Sequence, residues 1–119
     1  MTSDDRDRRI DYVELPSADL DRSRRFYGEA FGWRFTDYGP DYLAFDDGRL
    51  EGGFARSDRV AATRGGPLVI LYAADLDAMA ASIERAGGTI LRPAYSFPGG
   101  RRFHFADPDG HELAVWSET

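Results

Sequence analysis

The tetrapeptide Ala18-Asp19-Leu20-Asp21 recurs as Ala74-Asp75-Leu76-Asp77, 74 − 18 = 56 residues further on, and the match extends outward from it on both sides. Upstream, Val13-Glu14-Leu15 lies over Val69-Ile70-Leu71; downstream, Gly32 lies over Gly88. One unit is used twice. In each, a short β-rich run, Ile10 to Leu15 or Leu68 to Ala73, leads into an aspartate placed to cap a helix by accepting orphan N–H bonds. Leu76, Met79, Ala80 and Ile83 then form an apolar stripe at helical spacing that stops at Gly87-Gly88. The first helix is less regular. Leu20, Tyr27 and Phe31 share a face, while Arg22, Arg24, Arg25 and Glu29 largely solvate the other.

Three extended segments follow each helix. They run roughly from Trp33 to Tyr38, Tyr42 to Asp46 and Arg49 to Arg56, and again from Thr89 to Tyr95, Arg101 to Ala106 and His111 to Trp116. The closing hairpins turn on Asp47-Gly48 and on Asp107-Pro108-Asp109-Gly110, where Gly and Asp tolerate positive φ. The predicted fold class is α+β: tandem βαβββ modules, 10–56 and 67–117, forming a curled mixed sheet in a single domain, 10–119. Ser57 to Gly66 reads as a linker, and residues 1–9 as a disordered polar tail rather than a signal peptide.

Composition narrows the chemistry. The 119 residues suffice for one domain, and 42% of them are hydrophobic. Cys, Lys, Asn and Gln are absent from the sequence, which excludes disulfides, thiolate nucleophiles and ligands, and Schiff-base lysines. The 15 arginines are interleaved with 21 acidic residues for a net charge of −6, so nucleic acid is not an expected partner. No apolar run reaches membrane length, and the predicted location is the cytoplasm.

The tandem plan resembles the vicinal oxygen chelate superfamily of glyoxalases, bleomycin resistance proteins and extradiol dioxygenases. The residues that carry the likeness are Tyr12-Val13-Glu14-Leu15-Pro16 with the Asp19-Leu20 cap, Phe26-Tyr27 to Phe31-Gly32-Trp33, and Asp107-Pro108-Asp109-Gly110 before the last strand. It spans about Ile10 to Trp116 and implies cups of four strands with a helix outside, a small-molecule cavity within, and pairing into homodimers. The scaffold hosts many chemistries, so its site must decide among them. Members that use a metal place ligands at positions that map here to Tyr12, Leu68, about Gly52, and Ala114. Apart from a tyrosine that would need deprotonation, none is a normal ligand for a divalent cation, so neither a metal nor another cofactor is expected.

Strand alternation assigns the cup. Tyr12 and Glu14 share a face about 6.6 Å apart, and a two-residue turn at Asp47-Gly48 sets Phe45 opposite Leu50 and Leu43 opposite Gly52, with Phe54 continuing that face. The second hairpin contributes Phe103, Phe105, Glu112, Ala114 and Trp116, and Leu68 and Tyr72 come from the first strand of their unit. Gly52-Gly53 is either space cleared for a ligand or a bulge. His104, alternating with two phenylalanines, is predicted to face the helix layer, and His111 to be exposed after its turn. Pro98-Gly99-Gly100 is a candidate mobile lip. The reading is a metal-free protein that binds a hydrophobic or aromatic small molecule, as bleomycin-resistance-type sequestering proteins do. The alternative is a glyoxalase-like lyase or isomerase without metal, Glu14 the base and Tyr12 the proton donor; a third reading that the resemblance offers, a metal-dependent glyoxalase or dioxygenase, fails on ligands. Glu14 also has a structural reading, as a buried carboxylate paired to an arginine.

Overall fold

Both helices start where the aspartates place them. In this computed structural model, which describes residues 6–60 and 65–119, Asp19 accepts the Arg22 N–H at 3.1 Å and Asp75 accepts the Ala78 N–H at 3.0 Å. The order is β1 (Tyr12–Ser17), α1 (Leu20–Phe31), β2 (Arg34–Asp37), β3 (Tyr42–Asp46) and β4 (Glu51–Arg56), then β5 (Val69–Tyr72), α2 (Leu76–Arg85), β6 (Thr89–Phe97), β7 (Gly100–Ala106) and β8 (Glu112–Ser117). Helix α1 ends at Gly32, whose φ of 72° is left-handed and favours glycine. The expected tail lies in part, at residues 1–5, outside the described residues, as do residues 61–64 of the expected linker.

The fold is α+β, with two mixed sheets of four strands each and no closed barrel. The strand orders are β1-β4-β3-β2 and β5-β8-β7-β6, with β1 parallel to β4, β5 parallel to β8 and the other pairs antiparallel. Each helix covers one face of its sheet. Phe26 and Tyr27 of α1, with Leu76 and Ile83 of α2, meet Leu43, Phe54, Phe103, Phe105, Leu113 and Val115 in one core. Burying each such side chain contributes about 1.5–3 kcal/mol. Tyr27, Trp33 and Phe45 form a stack, with ring centroids 4.7 and 4.4 Å apart.

Two hairpins differ from expectation, and only one difference changes a face. The first turn spans Asp47 to Leu50, not two residues, because Asp47 accepts the N–H groups of Arg49 and Leu50. Phe45 therefore pairs with Gly52 and Leu43 with Phe54. The slip is two residues, an even number, so the set stays together. It lies on the helix side, however, opposite to Tyr12 and Glu14, since Val13 pairs with Gly52 and Glu14 with Gly53. The second turn spans Asp107 to His111, one residue more than predicted, and sets Ala106 opposite Glu112. That odd slip separates Phe103 and Phe105, which pair with Val115 and Leu113 under the helices, from Glu112, Ala114 and Trp116 on the open face.

The extra residue has a purpose. His111 is 1% exposed, not exposed as predicted, and its Nε2 lies 2.8 Å from the Pro16 carbonyl oxygen across the module boundary. Beside it, Asp109 accepts from the Ala18 N–H at 3.0 Å and the Arg22 guanidinium at 2.7 Å, and Tyr27 donates to Asp107 at 2.7 Å. The second module's turn thus caps the β1–α1 corner of the first. The stretch from Pro98 to Gly100 closes β6 onto β7, with Phe97 opposite Gly100 and Gly99 at φ 117°.

Candidate functional site

On the open face of the second sheet, four strands line up side chains in rows. Tyr72 pairs with Trp116, Trp116 with Arg102, and Arg102 with Tyr95, so one row crosses the whole sheet. The next row runs Ile70, Ala114, His104, Arg92. Tyr72 and Trp116 meet edge to face at 5.1 Å, and Phe97 lies 6.3 Å from Trp116.

A chain of hydrogen bonds joins the polar half of these rows. His104 Nδ1 lies 2.8 Å from Glu112 Oε2, its Nε2 lies 2.8 Å from the Tyr95 hydroxyl, and Arg102 Nε donates to that hydroxyl. An ionised carboxylate only accepts, so Nδ1 carries a proton; in the neutral ring Nε2 is then free to accept from Tyr95. Arg92 stacks on the Tyr95 ring at 3.6 Å. Such a chain holds two guanidinium groups in place. His104 therefore faces opposite to its predicted side. Its neighbours Phe103 and Phe105 take the helix layer, and alternation puts it on the open face.

The open face of the first sheet carries a second, smaller group. Tyr12 and Tyr42 share a hydrogen bond at 2.6 Å above Gly53, and Glu14 hydrogen-bonds to Tyr42. Burial first, then the bonds to Tyr12 and Glu14, push the Tyr42 phenol above its ordinary value, so it stays protonated and acts as a hydrogen-bond donor. Glu14 itself is exposed, with no arginine partner among the described residues, so it is neither the dry carboxylate nor the buried ion pair of the sequence reading. Neither glycine of the pair opens a space. A Cβ on Gly52 would strike the Phe45 ring and the Val13 carbonyl, and one on Gly53 would strike the Tyr42 and Tyr12 phenols.

The positions at which metal-using relatives keep ligands fit no ion here. Tyr12 is bonded to Tyr42, Leu68 and Ala114 have no lone pair to offer, and Gly52 lies on the helix side with Gly53 in its place. Among the described residues no group of three or more His, Asp or Glu side chains is placed to share a metal.

A crevice of about 660 Å³ opens between β1 and β5. Phe45, Leu50, Tyr72 and Trp116 line it, with Ile70 and Leu71. Of the predicted binding residues, the structure thus gathers Phe45, Leu50, Tyr72 and Trp116 at the crevice and Glu112 and Ala114 on the open face beside it. Leu68 is partly buried ahead of β5. Gly52, Phe54, Phe103 and Phe105 are packed under the helices and do not line the cup. Tyr95, Arg102 and Arg92 were missed by sequence reasoning. The visible signal was the alternation of Arg102 and His104 with Phe103 and Phe105; the length of the turn decided which pair was inside.

The sequence model of the Glyoxalase/Bleomycin resistance protein/Dioxygenase superfamily matches residues 9–115. The chain is 32% identical to an uncharacterized protein of Mycolicibacterium smegmatis over 113 residues, 93% of this chain and 95% of that one. It is 26% identical to the "Putative glyoxylase CFP32" of Mycobacterium tuberculosis, of which it spans only 44% while 88% of this chain is covered. Among solved structures it is similar to a glyoxalase-related enzyme from Fulvimarina pelagi, with a TM-score of 0.78 at 28% identity, covering 92% of this chain and 88% of that one.

Proposed function

The chain belongs to the Glyoxalase/Bleomycin resistance protein/Dioxygenase superfamily, and from that premise we propose that it binds a hydrophobic or aromatic small molecule without the help of a metal. The observation that carries this reading is the crevice, which is lined mainly by apolar and aromatic side chains together with Asp47 and Arg49, with Tyr72 and Trp116 at the open face. A concavity of this size takes a planar, drug-sized molecule, and rings stacked on Trp116 hold it by dispersion and desolvation alone. The donor set at the family's ligand positions supports the metal-free part. A second copy of the chain is the proposed partner, since Tyr12, Ile70 and Tyr72 stand 43%, 42% and 53% exposed on β1 and β5, each the outermost strand of its sheet.

The test is calorimetric titration with neutral planar aromatics such as 2-naphthamide, with elemental analysis of the purified protein alongside. Saturable binding that is lost in Trp116→Leu is expected. Stoichiometric manganese, nickel or iron, or a melting temperature raised by adding those ions, counts against the metal-free reading.

A second reading rests on the bonded phenols. Tyr42, kept protonated and joined to Tyr12 and Glu14, is equipped to hold a bound oxyanion by a hydrogen bond rather than to give up its proton, which supports acid–base chemistry with Glu14 as the base and Tyr12 as the proton donor. Glu14→Gln abolishing turnover of an identified substrate while leaving its binding intact is the result that reading expects.

A further inference from the structure

The aromatic and cationic halves of the second sheet's open face are one surface. Tyr72 and Trp116 stand on neighbouring strands, and Arg102 stands opposite Trp116 on the next. Strands lie about 4.8 Å apart, so the backbone of Arg102 is roughly 5 Å from that of Trp116 and roughly 10 Å from that of Tyr72, while its guanidinium leans toward Tyr95, 5.5 Å from that ring. Ala114, beneath the row, adds no bulk between them.

Arg102 is half-buried and held at its Nε. Its Nε is engaged by the Tyr95 hydroxyl, which is bonded to His104, which is bonded to Glu112. Among the described residues no carboxylate lies within ion-pair distance of Arg102 or Arg92; the same holds for other arginines such as Arg25 and Arg34, but these two stand side by side on one sheet face, next to the aromatic row. Glu112, the carboxylate on the same face of β8, is engaged by His104. In a chain with 21 acidic residues, two arginines kept on one face with no carboxylate partner make a local positive site in a negative molecule. A guanidinium whose Nε is already fixed presents its remaining N–H groups as a fork, the geometry that matches a carboxylate.

We propose that this face selects planar aromatic carboxylates, the ring lying on Trp116 and Tyr72 and the carboxylate taken by Arg102 with Arg92 beside it. The inference rests on the small-molecule reading above and adds to it the charge of the ligand and the residues that read that charge. In it Glu112, His104 and Tyr95 are positioning residues that orient Arg102 rather than touch the ligand's acid group. Electrostatic attraction between a lone carboxylate and a guanidinium pair weakens as salt is added, whereas stacking does not.

The experiment compares 2-naphthoate with 2-naphthamide, the same ring with and without the charge, by calorimetry on the full-length protein. The wild type is expected to bind the acid about tenfold tighter or more, equivalent to about 1.4 kcal/mol, with the preference shrinking as salt rises. Arg102→Met is expected to abolish the preference while leaving amide binding unchanged, and Trp116→Leu to weaken both. His104→Phe, which removes the ring nitrogens and keeps the volume, is expected to reduce the preference only in part. If Arg102→Met unfolds, Arg92→Met, at an exposed position, supplies the same readout. Equal affinity for the two probes in the wild type, or a preference that survives in both arginine variants, overturns the inference and leaves the aromatic pocket standing. Failure of both probes to bind removes the pocket reading and this one together.

Discussion

Asp107 is the residue at which burial and hydrogen bonding pull hardest against each other. Its Oδ1 accepts the N–H groups of Asp109 and His111, both at 2.9 Å, and its Oδ2 accepts the Tyr27 hydroxyl at 2.7 Å. Burial nonetheless wins and raises its carboxyl above the usual 3.8, although the Tyr27 bond and the neighbouring His111 pull the other way. Tyr27 is raised as well, by its own burial first and then by Asp107, so it remains the donor. A carboxyl raised on folding stabilises the native state below the unfolded value, and that contribution is lost as pH climbs through the folded value. Asn does not titrate, so Asp107→Asn should gain stability relative to the wild type as pH rises from about 3.5 to 7, as read by urea unfolding. A constant difference across that range would show that Asp107 carries the same charge behaviour folded and unfolded. At this scale the sequence was a poor guide to His111. A polar residue after a turn normally faces water, and a hydrogen bond to the carbonyl of Pro16, 95 positions away along the chain, helps to make its burial tolerable.

At the scale of elements, turn length governs which side chains are inside. The turn from Asp107 to His111 holds an odd number of residues between Ala106 and Glu112, and this places Leu113 and Val115 beneath the helices. A variant lacking Pro108 would have to either break the β7–β8 register or turn Glu112, Ala114 and Trp116 into the core. It should lose its cooperative thermal transition, whereas Pro108→Gly, which keeps the length, should melt within about 1–2 kcal/mol of the wild type. A deletion variant that still melts cooperatively would mean that the turn does not set the face. The helices, in contrast, were legible beforehand. Asp19, Asp75, Gly32 and Gly87-Gly88 are local signals that act within a turn of the residue that carries them, and they operate as read.

Across the whole molecule, the radius of gyration of 15.0 Å exceeds the roughly 13.5 Å typical of a domain of this length, in keeping with two half-open sheets and a crevice between their β1 and β5 edges. What ties the modules is a core shared by both helices and the docking of Asp109 onto the Ala18 N–H, the Arg22 guanidinium and the Ser23 hydroxyl. Asp109→Ala takes the charged acceptor away from the Ala18 N–H and the Arg22 guanidinium, while Ser23 keeps its bond to Ser17. It should cost about 2–3 kcal/mol in chemical unfolding and speed hydrogen exchange at Ala18 and in the first turn of α1. Unchanged exchange at Ala18 would show that the turn is not what holds this corner.

Taken by itself, the sequence determined the repeat, the two helices with their caps, the α+β class and the family, because periodicity and capping are short-range and survive reading one residue at a time. It also determined that Cys and Lys chemistry play no part. Only the tertiary structure decided which face of each strand is open, that His104 joins Glu112, Tyr95 and Arg102, and that His111 is buried. Those outcomes hang on the parity of two turns and on contacts between distant segments, and a one-residue difference in a loop reverses every side chain beyond it.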